Sequence, residues 1–192
     1  MSEHPQGRPR LLRSGRSHLQ LDSDARVTLW TSHDPGLPPL VTPGSPGSQL
    51  GFLDVTPQCA EEEPVRTVLL ASCGTVQVRD RLLPAAESVG RAAPGVALVR
   101  AVSCLDGPLD LKHSVRLVSS PVHGDVTWRS LNRIVFGYFA GRKVTVDGGE
   151  VRSGDGEVTS RLRAEAGAWC LLTVAFDGHL PADPALVTTL FG

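Results

Sequence analysis

The feature that most constrains this chain is a succession of short strand patterns separated by glycine- and proline-containing turns. Residues 75–82 alternate polar and apolar side chains with a period of two, which is typical of a strand with one buried face. Residues 96–105 and 169–176 are apolar at almost every position, which predicts central strands. No helical periodicity longer than two turns precedes residue 183. The sequence therefore predicts an all-β fold, a two-sheet antiparallel β-sandwich with a short C-terminal helix.

Two glycine-containing turns predict antiparallel hairpins. The turn at 106–108 separates the strand at 96–105 from an alternating strand at 109–118. The turn at 147–150 holds two consecutive glycines, which supply the positive φ that a tight hairpin needs, between the strand at 143–146 and residue 151. We expect the strands on either side of each turn to pair in one sheet.

The ends of the chain differ from its centre. Asp183 suits the N-cap of a helix and Pro184 suits its first position. We therefore predict a flexible basic leader at residues 1–10, a β-sandwich domain at 11–182, and a segment at 183–192 that corresponds to the start of a linker helix. The leader and the residues after it carry a basic cluster, which is expected to be solvated, or alternatively to form an arm that contacts phosphate or acidic protein: Arg8, Arg10, Arg13 and Arg16.

Composition excludes several functional classes. The 192 residues carry a net charge of −1, which argues against a dedicated nucleic-acid-binding protein. No stretch approaches the roughly 18 apolar residues of a membrane-spanning helix, and the N-terminal segment lacks the apolar core of a secretory signal. We therefore expect a cytoplasmic protein with neither a nucleic-acid nor a membrane partner.

The cysteines predict neither a metal site nor disulfides. No two of the four lie within four residues of each other, so the pair spacing of zinc sites is absent. Cys104 and Cys170 lie within apolar strands and are interpreted as small core residues. We expect all four to be thiols, and we expect no metal and no cofactor.

Five residues are candidates for catalysis if the chain is an enzyme. His113 lies on the apolar face of an alternating strand, where burial would disfavour its charged form and tune it as a base. Asp80 and Arg100 are the polar residues expected to converge with it from neighbouring strand faces. His33 and Asp34 are adjacent in a loop rich in proline and glycine, and they form a second possible acid/base pair. The alternative is a structural role for each of these side chains.

Four further residues are candidates for ligand binding. Tyr138 is the only tyrosine, and both its ring and that of Trp128 are suited to lining a ligand site, with core packing as the alternative. His123 and Asp125 lie in a predicted turn at a strand end, where loops cluster and sites are often built. Ordinary turn chemistry is the alternative for these two.

Three segments together resemble the N-terminal region of bacterial family 15 glycoside hydrolases, the glucoamylase-like and trehalase-like enzymes. Residues 11–30 are similar to the family's opening, although Thr28 stands where the family has aspartate. Residues 75–84 resemble its Gly-x-Val-x-Val-x-Asp-Phe-Met-Pro strand, and residues 98–107 resemble its Leu-Val-Arg-x-Val-x-Gly-x-x-Gly motif. The resemblance implies a trehalase-like N-terminal β-sandwich, or super-sandwich, which in the family is followed by a linker helix and a catalytic (α/α)6 barrel.

The resemblance also implies what the chain does not do by itself. No residue matches the family's general acid or general base, and glycoside hydrolysis needs two carboxyl groups across the scissile bond. We therefore expect a freestanding, non-hydrolytic module that binds a carbohydrate or other small molecule, or that docks onto a separately encoded barrel. We also expect a homodimer, in which two copies symmetrically bury the face that the barrel covers in the family. The alternative is a repurposed small-molecule enzyme, an acid/base cyclase, isomerase or hydratase in actinobacterial-type specialised metabolism.

Overall fold

The predicted all-β sandwich is confirmed. The computed structural model describes residues 9–31, 39, 41, 48–61, 66–72, 74–87, 95–118, 126–132, 134–139, 141–154 and 156–191. In this part of the chain the strands are β1 (Arg10–Ser14), β2 (Ser17–Leu21), β3 (Val27–Thr31), β4 (Gln49–Phe52), β5 (Val55–Glu61), β6 (Arg66–Ala71), β7 (Gly74–Glu87), β8 (Gly95–Cys104), β9 (Leu109–Arg116), β10 (Arg129–Leu131), β11 (Ile134–Phe139), β12 (Arg142–Asp147), β13 (Glu150–Gly154), β14 (Glu157–Ala164), β15 (Cys170–Phe176) and β16 (Gly178–His179). One helix, α1, spans Leu186–Phe191.

The strands form one large sheet and two smaller ones. The large sheet has the order β10-β11-β12-β15-β8-β7-β6-β5, and β16 pairs with β7 beside it. A four-stranded sheet has the order β13-β14-β9-β4, and a three-stranded sheet has the order β1-β2-β3. The inner face of the large sheet therefore packs against a second layer that is divided into two sheets.

One apolar core joins all three sheets. Leu98 from the large sheet, Leu19 from the three-stranded sheet and Leu111 from the four-stranded sheet belong to the same buried cluster. Trp30 and Phe176 are fully buried, and their rings meet edge to face with centroids 4.9 Å apart. This aromatic contact ties β3 to β15 across the sandwich.

The C-terminal helix packs on the outer face of the large sheet. The carboxylate of Asp183 accepts a hydrogen bond from the backbone N–H of Ala185 at 2.9 Å, as expected of an N-cap residue. Val187, on the buried side of α1, packs with three outward-facing residues of β8 and β15: Val99, Ala101 and Leu171. The helix therefore covers the centre of this face.

Both predicted hairpins are wrong in their pairing. The turn that contains Gly107 connects β8 in the large sheet to β9 in the four-stranded sheet, and the turn of Gly148 and Gly149 connects β12 to β13 in the same manner. Each earlier strand already has a partner on both sides, because β8 lies between β7 and β15 and β12 lies between β11 and β15. No edge is left for the following strand, so the chain crosses between layers.

Candidate functional site

The structure brings Asp80, Arg100 and His113 together inside the sandwich. Asp80 and Arg100 are directly opposite each other in the β7–β8 ladder, and the Arg100 Nε lies 3.2 Å from the Asp80 Oδ1. His113 faces them from β9 in the opposing layer, with its Nε2 3.1 Å from the Arg100 Nη1. The three residues share a site because each occupies an inward position in the alternation of its own strand.

Residues near the N-terminus complete this site. Arg10 begins β1 and is only 3% exposed, so the sandwich starts within the predicted leader and this arginine is not solvated. Its guanidinium donates to the carbonyl of Asp22 at 2.7 Å and to the hydroxyl of Thr67. Arg100 donates in turn to the carbonyl of Ala25, in the turn before β3. We call Arg10, Asp80, Arg100 and His113 the buried polar cluster.

An aromatic ring closes the cluster on the side of β4. The Phe52 ring meets the His113 ring edge to face, with centroids 5.1 Å apart, and the Arg100 guanidinium carbon lies 5.4 Å from the Phe52 centroid. Arg100 therefore contacts Asp80 in its own sheet, Ala25 in the three-stranded layer and His113 in the four-stranded sheet. A single guanidinium links all three sheets.

Burial controls the protonation of the cluster. It raises the pKa of Asp80, an effect that the positive charges of Arg100 and Arg10 oppose. It lowers the pKa of Arg100 and of Arg10, which the negative charge of Asp80 opposes. Burial, and then the charge of Arg100, lower the pKa of His113 well below its usual value. His113 is therefore neutral at pH 7.

The neutral imidazole of His113 already accepts a hydrogen bond. A guanidinium only donates hydrogen bonds, so the Nε2 of His113 accepts from Arg100 and the ring proton lies on Nδ1. A general base needs a free lone pair within hydrogen-bond reach of its substrate. Asp80 is 2% exposed, and Arg100 and His113 are fully buried, so a substrate reaches them only if the sandwich opens. The arrangement seen here holds the sheets together.

The remaining predicted site residues are distributed differently. Trp128 is half-buried, and its Nε1 donates to the carbonyl of Gly156 at 3.0 Å, so it serves packing. Tyr138 is 63% exposed on β11. Four candidates lie outside the described residues: His33, Asp34, His123 and Asp125.

An apolar stripe follows β10 and β11 on the outer face of the large sheet. Val135 and Phe139 point into the core, so the alternate side chains of β11 point outward. Leu131 on β10 is directly opposite Ile134 and shares its face. We call these four outward residues the outer aromatic stripe: Leu131, Ile134, Phe136 and Tyr138.

Two cations border the outer aromatic stripe. Arg129 is opposite Phe136 in the β10–β11 ladder, and Lys143 is opposite Tyr138 in the β11–β12 ladder. The Lys143 Nζ lies 5.5 Å from the centroid of the Phe136 ring, within the range of a cation–π interaction. The outer aromatic stripe is therefore an apolar surface that is flanked by two positive charges.

Two parts of this architecture are not predicted from the sequence. Arg10 falls in the predicted leader, although it alternates with Leu12, which is also buried, and this period of two is the signal that reveals it. Another buried ion pair among the described residues joins the Arg142 Nε to the Asp177 Oδ2 at 2.5 Å. Nothing in the local sequence indicates that pair, because its partners come from β12 and from the turn after β15.

The described residues hold neither a metal-ligand cluster nor a membrane-spanning helix. Among them, no group of three or more His, Cys, Asp or Glu side chains is placed to hold a metal ion. No helix in the described part of the chain has the length and apolar character needed to cross a membrane. Cys104 and Cys170 are free, and burial raises the pKa of the Cys170 thiol to about 11.

Fold and site define a β-sandwich with a sealed polar core and one exposed aromatic face. No family model matches the chain, and no curated protein matches it. Among solved structures, it is similar to a protein described as a kojibiose phosphorylase from the human microbiome, with a TM-score of 0.37 and 10% sequence identity. The similarity covers 83% of this chain and 18% of the length of that one. A similarity of this degree carries no argument about function.

Proposed function

We propose that this chain is a non-hydrolytic docking module that binds a protein partner through the outer aromatic stripe. The observation that carries the proposal is that Leu131 and Tyr138 lie on one sheet face and are each 63% exposed. Clustered exposed apolar side chains mark interaction sites, whereas single ones are common on any surface. Aromatic residues and arginine are also enriched at interfaces, and Phe136 and Arg129 supply both.

The charges beside the stripe define the partner's chemistry. Arg129 and Lys143 favour a partner surface that is apolar in its centre and carries Asp or Glu at its rim. An (α/α)6 barrel of the family 15 type is the partner that we propose, and the resemblance of residues 11–30, 75–84 and 98–107 to that family supports this choice. A cytoplasmic location is part of the same proposal and is supported by the free thiols of Cys104 and Cys170.

A carbohydrate ligand is the second candidate, because the exposed ring of Tyr138 offers a flat surface on which a sugar can stack. The repurposed-enzyme alternative depends on His113 and its neighbours. It requires the sandwich to open, since His113 is fully buried. The geometry therefore favours recognition over catalysis.

The direct test uses a bacterial family 15 (α/α)6 barrel that is expressed without its own sandwich. Titration calorimetry with the full chain should show saturable binding. The double variant Leu131→Ser, Tyr138→Ala should weaken that binding more than about tenfold, which is the scale of a central interface residue. Leu70→Ser is the matched control, because Leu70 is 45% exposed on the same sheet face. It lies five strand spacings from β11, or about 24 Å.

Three results would overturn docking to the barrel. The first is no binding to the barrel, and the second is an equal loss of binding in the Leu70→Ser control. The third is a homodimer, detected by light scattering of the chain alone, that the double variant dissociates, because a second copy would then occupy the stripe. Chemical shift changes at Tyr138 with a maltooligosaccharide, without binding to the barrel, would instead support the carbohydrate candidate.

A further inference from the structure

Two adjoining cavities flank the tip of the β1–β2 hairpin. The inner cavity has a volume of about 360 Å³ and lies between the hairpin tip and the start of β8. The outer cavity has a volume of about 270 Å³ and lies over the exposed face of the hairpin. Gly15, Arg16 and Ser17 line both. The inner cavity falls within the size range of small-molecule sites.

Positively charged side chains line both cavities. Arg16 lines both cavities, and Arg13 lines the outer cavity beside His18. Among the described residues, no carboxylate lines either cavity, and neither arginine makes a hydrogen bond or ion pair with another side chain. Asp22, just beyond the far end of β2, lies six residues from Arg16, or about 20 Å by the rise of a strand. The guanidinium groups are therefore available to an anionic ligand.

The hairpin holds these groups in a defined arrangement. Ser14 and Ser17 are opposite each other at the end of the β1–β2 ladder, and Arg13 is opposite His18. Gly15 adopts a φ of 58°, a left-handed conformation that favours glycine, and closes the turn. Because β1 is anchored in the core through Arg10, the tip projects from a fixed base.

The inner cavity combines polar and apolar walls. The residues Ser14, Arg16 and Ser17 form one side, and Pro84 and Val96 form the other. Pro84 and Val96 are opposite each other in the β7–β8 ladder, so they form one continuous apolar surface. A ligand that fits both walls has an anionic group at one end and a compact apolar body at the other.

We propose that the hairpin tip is a binding site for a small organic anion that carries a phosphate or carboxylate group. Arg16 pairs with the anionic oxygens, since a guanidinium fits a phosphate or carboxylate through two parallel hydrogen bonds. The hydroxyls of Ser14 and Ser17 donate to the same group, and the apolar body rests on Pro84 and Val96. Arg13 adds a second positive charge beside the tip. This site is independent of the docking function proposed above.

The test is an NMR titration of the isotope-labelled full chain with phenyl phosphate, benzoate and benzyl alcohol. Phenyl phosphate or benzoate should produce saturable shifts of the backbone amides of residues 14–17 and of Val96. The titrations with phenyl phosphate and with benzoate distinguish a phosphate ligand from a carboxylate ligand. Benzyl alcohol has a similar body without the charge and should bind at least tenfold more weakly. Equal binding of benzyl alcohol would overturn the assignment of an anion site.

Variants locate the site. Arg16→Gln should weaken binding of the anionic probe about tenfold, the loss expected for an exposed charge-assisted hydrogen bond. Arg163→Gln is the control, because Arg163 is 71% exposed on β14, away from the hairpin. The Leu131→Ser, Tyr138→Ala variant should bind the probe as the wild type does, which separates this result from that of the docking test. Unchanged binding by Arg16→Gln, or equal weakening by Arg163→Gln, would overturn the proposal.

Discussion

Mild acid should weaken this fold through His113. In the folded chain the imidazole is fully buried, accepts a hydrogen bond from Arg100 and has a pKa well below its usual value. In the unfolded chain it regains an ordinary pKa of about 6.5. The unfolded state therefore binds the proton first as the pH falls, and stability that is fully present above about pH 6.5 is lost below it.

The size of this effect follows from proton linkage. If His113 stays neutral in the folded state, lowering the pH from 7 to 5 reduces the free energy of unfolding by about 2 kcal/mol. For a chain of this length, that loss lowers the melting temperature by about 4–8 °C. The raised pKa of Asp80 acts in the opposite sense, because its stabilising contribution is present below its unfolded pKa and is lost as the pH rises through its folded pKa. The wild type and the His113→Gln variant both retain Asp80, so its contribution cancels when their pH profiles are compared.

The assay compares the wild type with His113→Gln by urea unfolding at pH 7, 6 and 5. A glutamine carbonyl can accept the hydrogen bond from Arg100 and does not titrate. The variant is therefore expected to lose about 2 kcal/mol less than the wild type over this range, whatever its stability at pH 7. Parallel pH profiles for the two proteins would refute the reasoning, because they would mean that the folded imidazole takes up a proton as readily as the unfolded one.

Two further substitutions test the core and the crossover between layers. Asp80→Asn leaves two buried guanidinium groups without a counter-charge, so the free energy of unfolding should fall by about 3–5 kcal/mol in a urea titration. Glu165→Gln, in an exposed ion pair, is its control and should cost less than about 1 kcal/mol. Gly148→Ala places a side chain at a φ of 117° and against a backbone carbonyl, so calorimetry should show a lower melting temperature. Gly154→Ala, where the added methyl meets open space, should change little. Wild-type stability in Asp80→Asn or in Gly148→Ala would contradict the corresponding argument.

Strand alternation predicted the faces of the key residues well. Asp80 follows the buried residues Val76 and Val78 on alternate positions of β7, and His113 continues the series of Leu109 and Leu111 on β9. A period of two determines which side chains share a face, whatever the order of the strands in the sheet. The convergence of Asp80, Arg100 and His113 was predictable for this reason.

Strand partners were harder to predict than strand faces. The turn at Gly148 has the glycines of a hairpin, yet β12 and β13 lie in different sheets. Local sequence specifies that the chain bends, but the partner of a strand depends on segments that are distant in sequence, such as β15 for β12. The complete burial of the polar cluster could not be predicted for the same reason. The Ala25 carbonyl, which accepts a hydrogen bond from Arg100, belongs to a turn that is distant in sequence.

The buried guanidinium of Arg10 has a practical consequence for expression design. A truncated form that starts at residue 11 lacks the whole predicted leader, and with it loses one donor to the carbonyl of Asp22 and a donor to the hydroxyl of Thr67. The positive charge of Arg10 would then no longer add to that of Arg100 in opposing the burial of the Asp80 carboxylate. Trimming should stop before residue 10, and a shorter version should yield less folded material at the same temperature.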